Sequence, residues 1–187
     1  MKTVWLQVLA WLAAVTIALL LAFAAPNEST LMGRMPALSA KRLNQQPIAL
    51  PEGLPAGRTL ALVAFQRGHR GEIESWIKGM ELRENGPIQW LKMPVLDDPG
   101  SESARADIEQ RIMARHSALV DQSRLVPVFT NREAFIRAAG MSSSDHAWVL
   151  VIGRDGQVLA RVEGEYTAEK GEALRQTLLA QSPQLSF

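Results

Sequence analysis

The stretch Leu60–Phe65, "LALVAF", is apolar on six consecutive positions. A strand that alternates apolar and polar residues covers one face. A strand that is apolar throughout has to be covered on both. This run therefore predicts a central strand with further structure packed above and below it, which excludes a simple helical bundle or a half-exposed meander. A polar turn follows, Arg67-Gly68-His69-Arg70, and then a helical pattern from about Gly71 to Met80, in which Ile73, Trp76, Ile77 and Met80 share one face. Glu72 and Glu74 fall in its first turn, where a carboxylate suits the helix dipole.

The same alternation continues along the chain. Ile48-Ala49-Leu50 reads as a short edge strand, bounded by Pro47 and Pro51. Gln89–Met93 reads as a strand ended by Pro94. Ser101 or Ser103 is placed to cap a helix running through His116. Arg124–Thr130 is strand-like, with Pro127 pointing to an edge or interrupted strand. "NREAFIRAAG" is a short helix closed by Gly140. Ala147–Ile152 is a further apolar strand. Asp155-Gly156 is a hairpin turn signal, and Val158–Val162 is expected to return antiparallel. Thr167 caps a last helix to about Leu179. The fold class expected is α/β, a central mixed sheet with helices on both faces.

The chain of 187 residues opens with "TVWLQVLAWLAAVTIALLLAFAA", Thr3–Ala25. As a helix this run would be about 34 Å long, enough to cross a bilayer. It reads as a signal anchor, or as a cleaved signal peptide with Ala22-Phe23-Ala24 as the cleavage site. Either reading exports the rest of the chain to the periplasm. The boundaries read from sequence are an anchor or signal at 1–25, a polar, turn-rich linker at 26–37 and a domain at 38–187. Net charge is +1 with no basic block, so no nucleic-acid partner is expected. There is no cysteine, so no disulfide, thiol nucleophile, thiolate zinc site or iron–sulfur cluster can form within the chain.

Two pieces together resemble the thioredoxin-like superfamily in its peroxiredoxin and TlpA-like arrangement. "MPALSAKRLNQQPIALPEGLPAGRTLALVAF" is similar to the opening strands of that family, and "VLVIGRDGQVLARVEG" to its closing hairpin. The resemblance spans about Met35 to Leu179. It implies that the family's Cys-x-x-Cys, or single peroxidatic Cys, aligns with Arg67, Gly68, His69 and Arg70, at a helix start that would lower a thiol pKa. Both thiol positions carry Arg here. The family's cis-proline, which faces that loop, aligns near His146 and Ala147, where no proline stands. The redox step of the family, a mixed disulfide or a sulfenic acid, therefore has no residue to carry it. A looser resemblance, on Phe65 and Ser75-Trp76, is to the mitochondrial ATP synthase assembly factor family, whose members act without a redox motif.

These readings define one candidate ligand or partner surface: Arg67, Gly68, His69, Arg70, Asp145 and His146. Two guanidinium groups and free backbone N–H groups at a helix start suit an anion or carboxylate; the plainer reading is a solvated turn whose arginines pair with Glu72 or Glu74. His69, Asp145 and His146 together offer two imidazoles and a carboxylate for a metal; the plainer reading is ordinary loop residues. Trp76, Trp90 and Trp148 read as core, and His116 as solvent-facing. Asp97-Asp98 and Glu163/Glu165 read as solvated turns, and neither a nucleophile elbow nor a P-loop is present. No catalytic residue, metal or cofactor is assigned. The expectation is a non-redox domain held at the inner membrane by residues 3–25, facing the periplasm and binding or assembling a protein partner. The alternative is a metal- or anion-binding protein or enzyme using His69, Asp145 and His146.

Overall fold

A computed structural model describes residues 32–84, 86–116 and 118–180. The Thr3–Ala25 run lies outside the described residues. Among those described, no helix is long and apolar enough to cross a membrane.

β1 (Leu38–Lys41) and β2 (Pro47–Leu50) form an antiparallel pair. β3 (Arg58–Ala64) leads through a 3₁₀ turn, Arg67–His69, into α1 (Arg70–Gly79). β4 (Trp90–Asp97), α2 (Glu102–Met113), α3 (Leu119–Arg124), β5 (Val128–Thr130) and α4 (Arg132–Ala138) follow. β6 (Trp148–Gly153), β7 (Val158–Glu163) and α5 (Ala168–Leu179) close the chain. The main sheet runs β5-β4-β3-β6-β7. β3 is parallel to β4 and antiparallel to β6, so the sheet is mixed, as the sequence predicts.

β3 is central, and its alternate residues feed two separate cores. Leu60 and Leu62 pack with Ile73, Trp76 and Ile77 of α1 and Leu174 of α5. Ala61 and Val63 pack on the other face with Phe135 of α4 and with Ile48 and Leu50 of β2. Each of these four β3 side chains is fully buried. At about 25 cal/mol per Å² of apolar surface, burying a Leu or Val side chain is worth roughly 1.5–3 kcal/mol, so β3, with β6 beside it, holds both layers together.

Several local readings hold. Ser101 caps α2, accepting from Ala104 N–H at 3.3 Å, and Thr167 caps α5, accepting from Lys170 N–H at 3.3 Å. The Asp155-Gly156 turn sits in the β6–β7 connection with Gly156 at φ 84°, a backbone conformation that glycine adopts without a Cβ penalty. Trp76, Trp90 and Trp148 are buried, each indole N–H donating to a backbone carbonyl: Trp76 to Gly164, Trp90 to Leu82 and Trp148 to Ser143.

Other readings are corrected. β4 does not stop at Pro94 but runs through it to Asp97. Pro94 is the last residue of β4 registered against β3, and Val95 is the first registered against β5. A residue without an N–H is tolerated where pairing passes from one neighbour to the other. β2 is a short edge strand as read, but of a separate two-stranded sheet with β1, a strand whose half-polar sequence, "LSAK", carries little signal. The helix after Ser101 ends at Met113, short of His116, and α3 occupies residues to which the sequence assigns no element, together with Arg124, expected as strand. Only Val128–Thr130 of the Arg124–Thr130 run is strand. Met35, in the segment read as linker, is buried in the α4-side core, and its N–H donates to Gly156 O at 2.8 Å.

Tyr166 fixes α1 against α5. Its ring meets Trp76 edge-on at 5.2 Å, and a Cβ at either Gly79 or Gly171 would fall about 2.5 Å from it. Gly79→Ala and Gly171→Ala are each expected to cost about 1–3 kcal/mol by overpacking. Gly71→Ala, which meets nothing within 4 Å, is expected to be neutral or to stabilise by about 0.4–1 kcal/mol. Urea unfolding of the three variants, followed by tryptophan fluorescence, checks this ordering.

Candidate functional site

The site is built where β3 ends and α1 begins. Leaving the sheet at Ala64, the chain makes one 3₁₀ turn before α1. The turn is pinned by His69, which is 2% exposed. Phe65 N–H donates to His69 Nδ1 at 3.3 Å, and His69 Nε2 lies 3.1 Å from the Asp145 carbonyl oxygen. An Nδ1 that accepts and an Nε2–H that donates define the neutral imidazole. The Gln66 amide lies 2.9 Å from the same Nε2. Gln66 Nε2 is the atom placed there, and turning the amide over would present its oxygen to that Nε2–H. His69 thus joins the end of β3 to the loop that enters β6.

Glu72, in the first turn of α1, makes the second link to that loop. One carboxylate oxygen is 3.0 Å from His146 Nδ1, and the other accepts from Ala147 N–H at 2.6 Å. Burial alone would raise the Glu72 pKa. The His146 and Ala147 hydrogen bonds and the nearby imidazoles outweigh it and hold the carboxyl below its ordinary range. The same hydrogen bond and the Glu72 charge push His146 up.

The predicted site residues therefore separate into two groups. His69, Asp145 and His146 do come together, but through a backbone carbonyl and Glu72, and not as a ligand set. Both His69 ring nitrogens face backbone groups, and the Asp145 side chain is exposed. Among the described residues, no three His, Cys, Asp or Glu side chains gather as a metal set. Arg67, Gly68 and Arg70 are exposed on the outer side of the turn. They are not paired with the nearby acids: Glu72 is held as above, and Glu74 bonds Arg83 at 2.8 Å and Lys92 at 3.1 Å. Among the described residues, Arg67 and Arg70 have no carboxylate partner.

Arg67 and Arg70 border a cleft of ≈ 430 Å³ between α1, the C-terminal half of β4 and the end of α2. Its walls include Leu62, Ala64, Pro94 and Ile112, with Lys92 and Arg115 among its cations. His116 lines this cleft and is half-buried, not solvent-facing as its polar surroundings in sequence imply. Burial lowers its pKa, and the charges of Lys92 and Arg70 lower it further, against Asp121 and Glu74. Sequence reading missed this cleft and the reach of Glu72. The spacing Ile108, Arg111, Ile112, Arg115 was the available signal, since it places two apolar and two basic residues on one side of a helix. Nothing in sequence marks a contact between Glu72 and residue 147. The acid pairs read as solvated turns are exposed, but Asp97 pairs with Arg132 and Asp98 with Arg105.

A parallel β3–α1–β4 unit, an antiparallel β6–β7 hairpin beside β3 and a closing helix, with the site at the start of α1, define a thioredoxin-like fold. Comparison with solved structures agrees. A "putative electron transfer protein" from Aquifex aeolicus VF5 superposes with a TM-score of 0.55 at 10% identity, over 78% of this chain and 95% of that one. BsSco, a member of the Sco family of cytochrome c oxidase assembly proteins, superposes at 0.50 and 11% identity, over 79% of this chain and 92% of that one. No protein-family model matches the sequence, and no curated protein matches it. At such identities the likeness concerns the fold alone.

Two outcomes follow from the clasp. Glu72, with a lowered pKa, stabilises above its unfolded value of about 4.3, and this is lost as pH falls through the folded pKa. His146, with a raised pKa, stabilises fully below about 6.5, and this is lost as pH rises through the folded pKa. The pair is therefore strongest between those values. The melting-temperature gap between the natural chain and His146→Ala should be widest near pH 5.5 and close by pH 9; a gap independent of pH refutes the pairing. Separately, His69→Ala leaves the Phe65 N–H and the Asp145 carbonyl unpaired in a buried site. It should cost about 2–3 kcal/mol in denaturant titration.

Proposed function

We propose that this chain is a thioredoxin-like domain that works by binding a protein partner and not by thiol chemistry, held at the inner membrane and facing the periplasm. One observation carries the reading. At the turn where the resembled family keeps its thiols, this chain presents Arg67 and Arg70, exposed and without ion partners among the described residues, on a backbone fixed from behind by His69 and Glu72. A rigid turn loses little entropy on binding, and exposed guanidinium groups favour carboxylate-bearing surfaces. With no cysteine in the chain, a mixed disulfide could not form on it. The export and tethering rest on the Thr3–Ala25 run. Assembly is the role named for the Sco family of BsSco; for this chain the binding role rests on the turn itself.

The test is site-specific photocrosslinking in cells. A photoreactive residue at position 67 should give a discrete protein adduct in the membrane fraction, and Arg70→Glu in the same chain should abolish it. The same residue at Arg154 should give none. Arg154 is exposed in the β6–β7 turn at the opposite end of the sheet, beside Gly153, which is registered against the first residue of β3. Equal adducts at both positions, or none at 67, overturn the proposal. Mass analysis of the adducted chain also reads the tethering: an intact N-terminus supports the anchor, and a chain cut after Ala24 overturns it.

A further inference from the structure

The cleft beside Arg70 has a composition that partner binding at the turn does not account for. α2 contributes no buried residue to either core. Its apolar side chains Ile108 and Ile112 are half-buried and form one wall of an open hollow. A second hollow of ≈ 290 Å³ shares Ala64, Gln66, Arg67, Pro94, Ile112 and Arg115 with the first, and adds Leu96, Ile108 and Arg111. The two make one continuous cleft with an apolar floor. Its size is that of small-molecule sites, roughly 300–1,000 Å³.

The charge around this floor is one-sided. Arg67, Arg70, Arg111, Arg115 and Lys92 line it, and among the described residues Glu74 is the only acid that does. Glu74 is already held by Arg83 and Lys92. Among the described residues, Arg67, Arg70 and Arg115 have no carboxylate partner. The Arg111 Nε donates only to the Asp107 backbone carbonyl, at 3.2 Å. Guanidinium groups beside low-dielectric walls attract an anion more strongly than the same groups in open water.

We propose that this cleft binds a small amphiphilic anion, a carboxylate or phosphate on an apolar chain. Arg67, Arg70 and Arg115 take the head, and Ala64, Pro94 and Ile112 take the chain. Neither half suffices alone. A bare anion gains nothing from the floor, and an apolar chain with a cationic head meets repulsion from at least three guanidinium groups.

The experiment uses the full chain in phosphatidylcholine nanodiscs and equilibrium dialysis of radiolabelled octyl phosphate, with empty discs subtracted. Saturable binding of about one molecule per chain is expected, with octanoate competing. Arg70→Glu/Arg115→Glu should weaken it by at least about tenfold, since a charge-assisted hydrogen bond is worth at least that factor. Both residues are exposed and unpaired, and an unchanged melting temperature checks that the variant is folded. Ile112→Asp, on the floor, should weaken it comparably. Octyltrimethylammonium should show no saturable binding, and inorganic phosphate should not compete at equal concentration. Equal binding of the anionic and cationic chains, competition by inorganic phosphate alone, or insensitivity to both variants overturns the proposal. The outcome is independent of the partner reading. Ile112 is on the cleft wall and not in the Arg67–Arg70 turn, so loss of octyl phosphate binding by Ile112→Asp with the position-67 adduct intact separates the two readings, which share Arg67 and Arg70.

Discussion

The buried imidazole of His69 is the contact on which the rest of the site depends. It is one of the few polar side chains buried in the described fold, and it is satisfied at both nitrogens by main-chain groups 80 residues apart in sequence, at Phe65 and Asp145. A buried polar group left unpaired costs roughly 1–3 kcal/mol, so the ring has to stay where both partners are. That fixes the 3₁₀ turn, and the turn fixes α1. With His69 directed inward, Arg67 and Arg70 on either side are directed outward. Glu72, one helical turn further on, then reaches the segment after Asp145 from the same side. Two side chains of α1 and its lead-in hold the loop that enters β6, a junction for which the resembled family uses a proline.

Much of this architecture was legible because it rests on local patterns. Consecutive apolar residues at Leu60–Phe65 require cover on both faces, and two cores are found there. Ser101 and Thr167 precede helical runs and cap them, and Asp155-Gly156 turns the chain between β6 and β7. What was not legible depends on long-range pairing. "LSAK" becomes a strand only because Pro47–Leu50 lies beside it. Pro94 sits inside β4 only because the hydrogen-bonding partner changes at that position. His69 gives no sign in sequence of whether its ring faces solvent or two main-chain groups, and the same is true of the reach of Glu72 to Ala147. The candidate residues fall at the β3–α1 turn and in the loop that enters β6, while their division into an inward clasp and an outward basic edge required the tertiary contacts.

That division alters the chemistry open to the site. The metal reading needs His69 and His146 to present free ring nitrogens to one point, whereas His69 has both engaged and His146 lies against Glu72. The anion reading needs exposed cations with no carboxylate partner, which among the described residues is the state of Arg67 and Arg70. The geometry therefore favours the two arginines over the two histidines as the groups that meet a ligand.

Stability alone gives no reason for where these arginines stand. A cation in the first turn of a helix opposes the dipole by about 0.3–1 kcal/mol, and Arg67 and Arg70 are also near one another and near Arg115. Glu72 offsets part of this for the helix, but its carboxylate is committed to His146 and Ala147. Glu74 is committed to Arg83 and Lys92. The fold thus commits its local acids to partners other than Arg67 and Arg70 while leaving half-buried apolar surface beside them. Each of these features is mildly unfavourable in the free protein, and each becomes favourable when an anion with apolar surface is bound. A binding surface accounts for all of them together, where a solvated remnant of a redox site accounts only for the missing thiols.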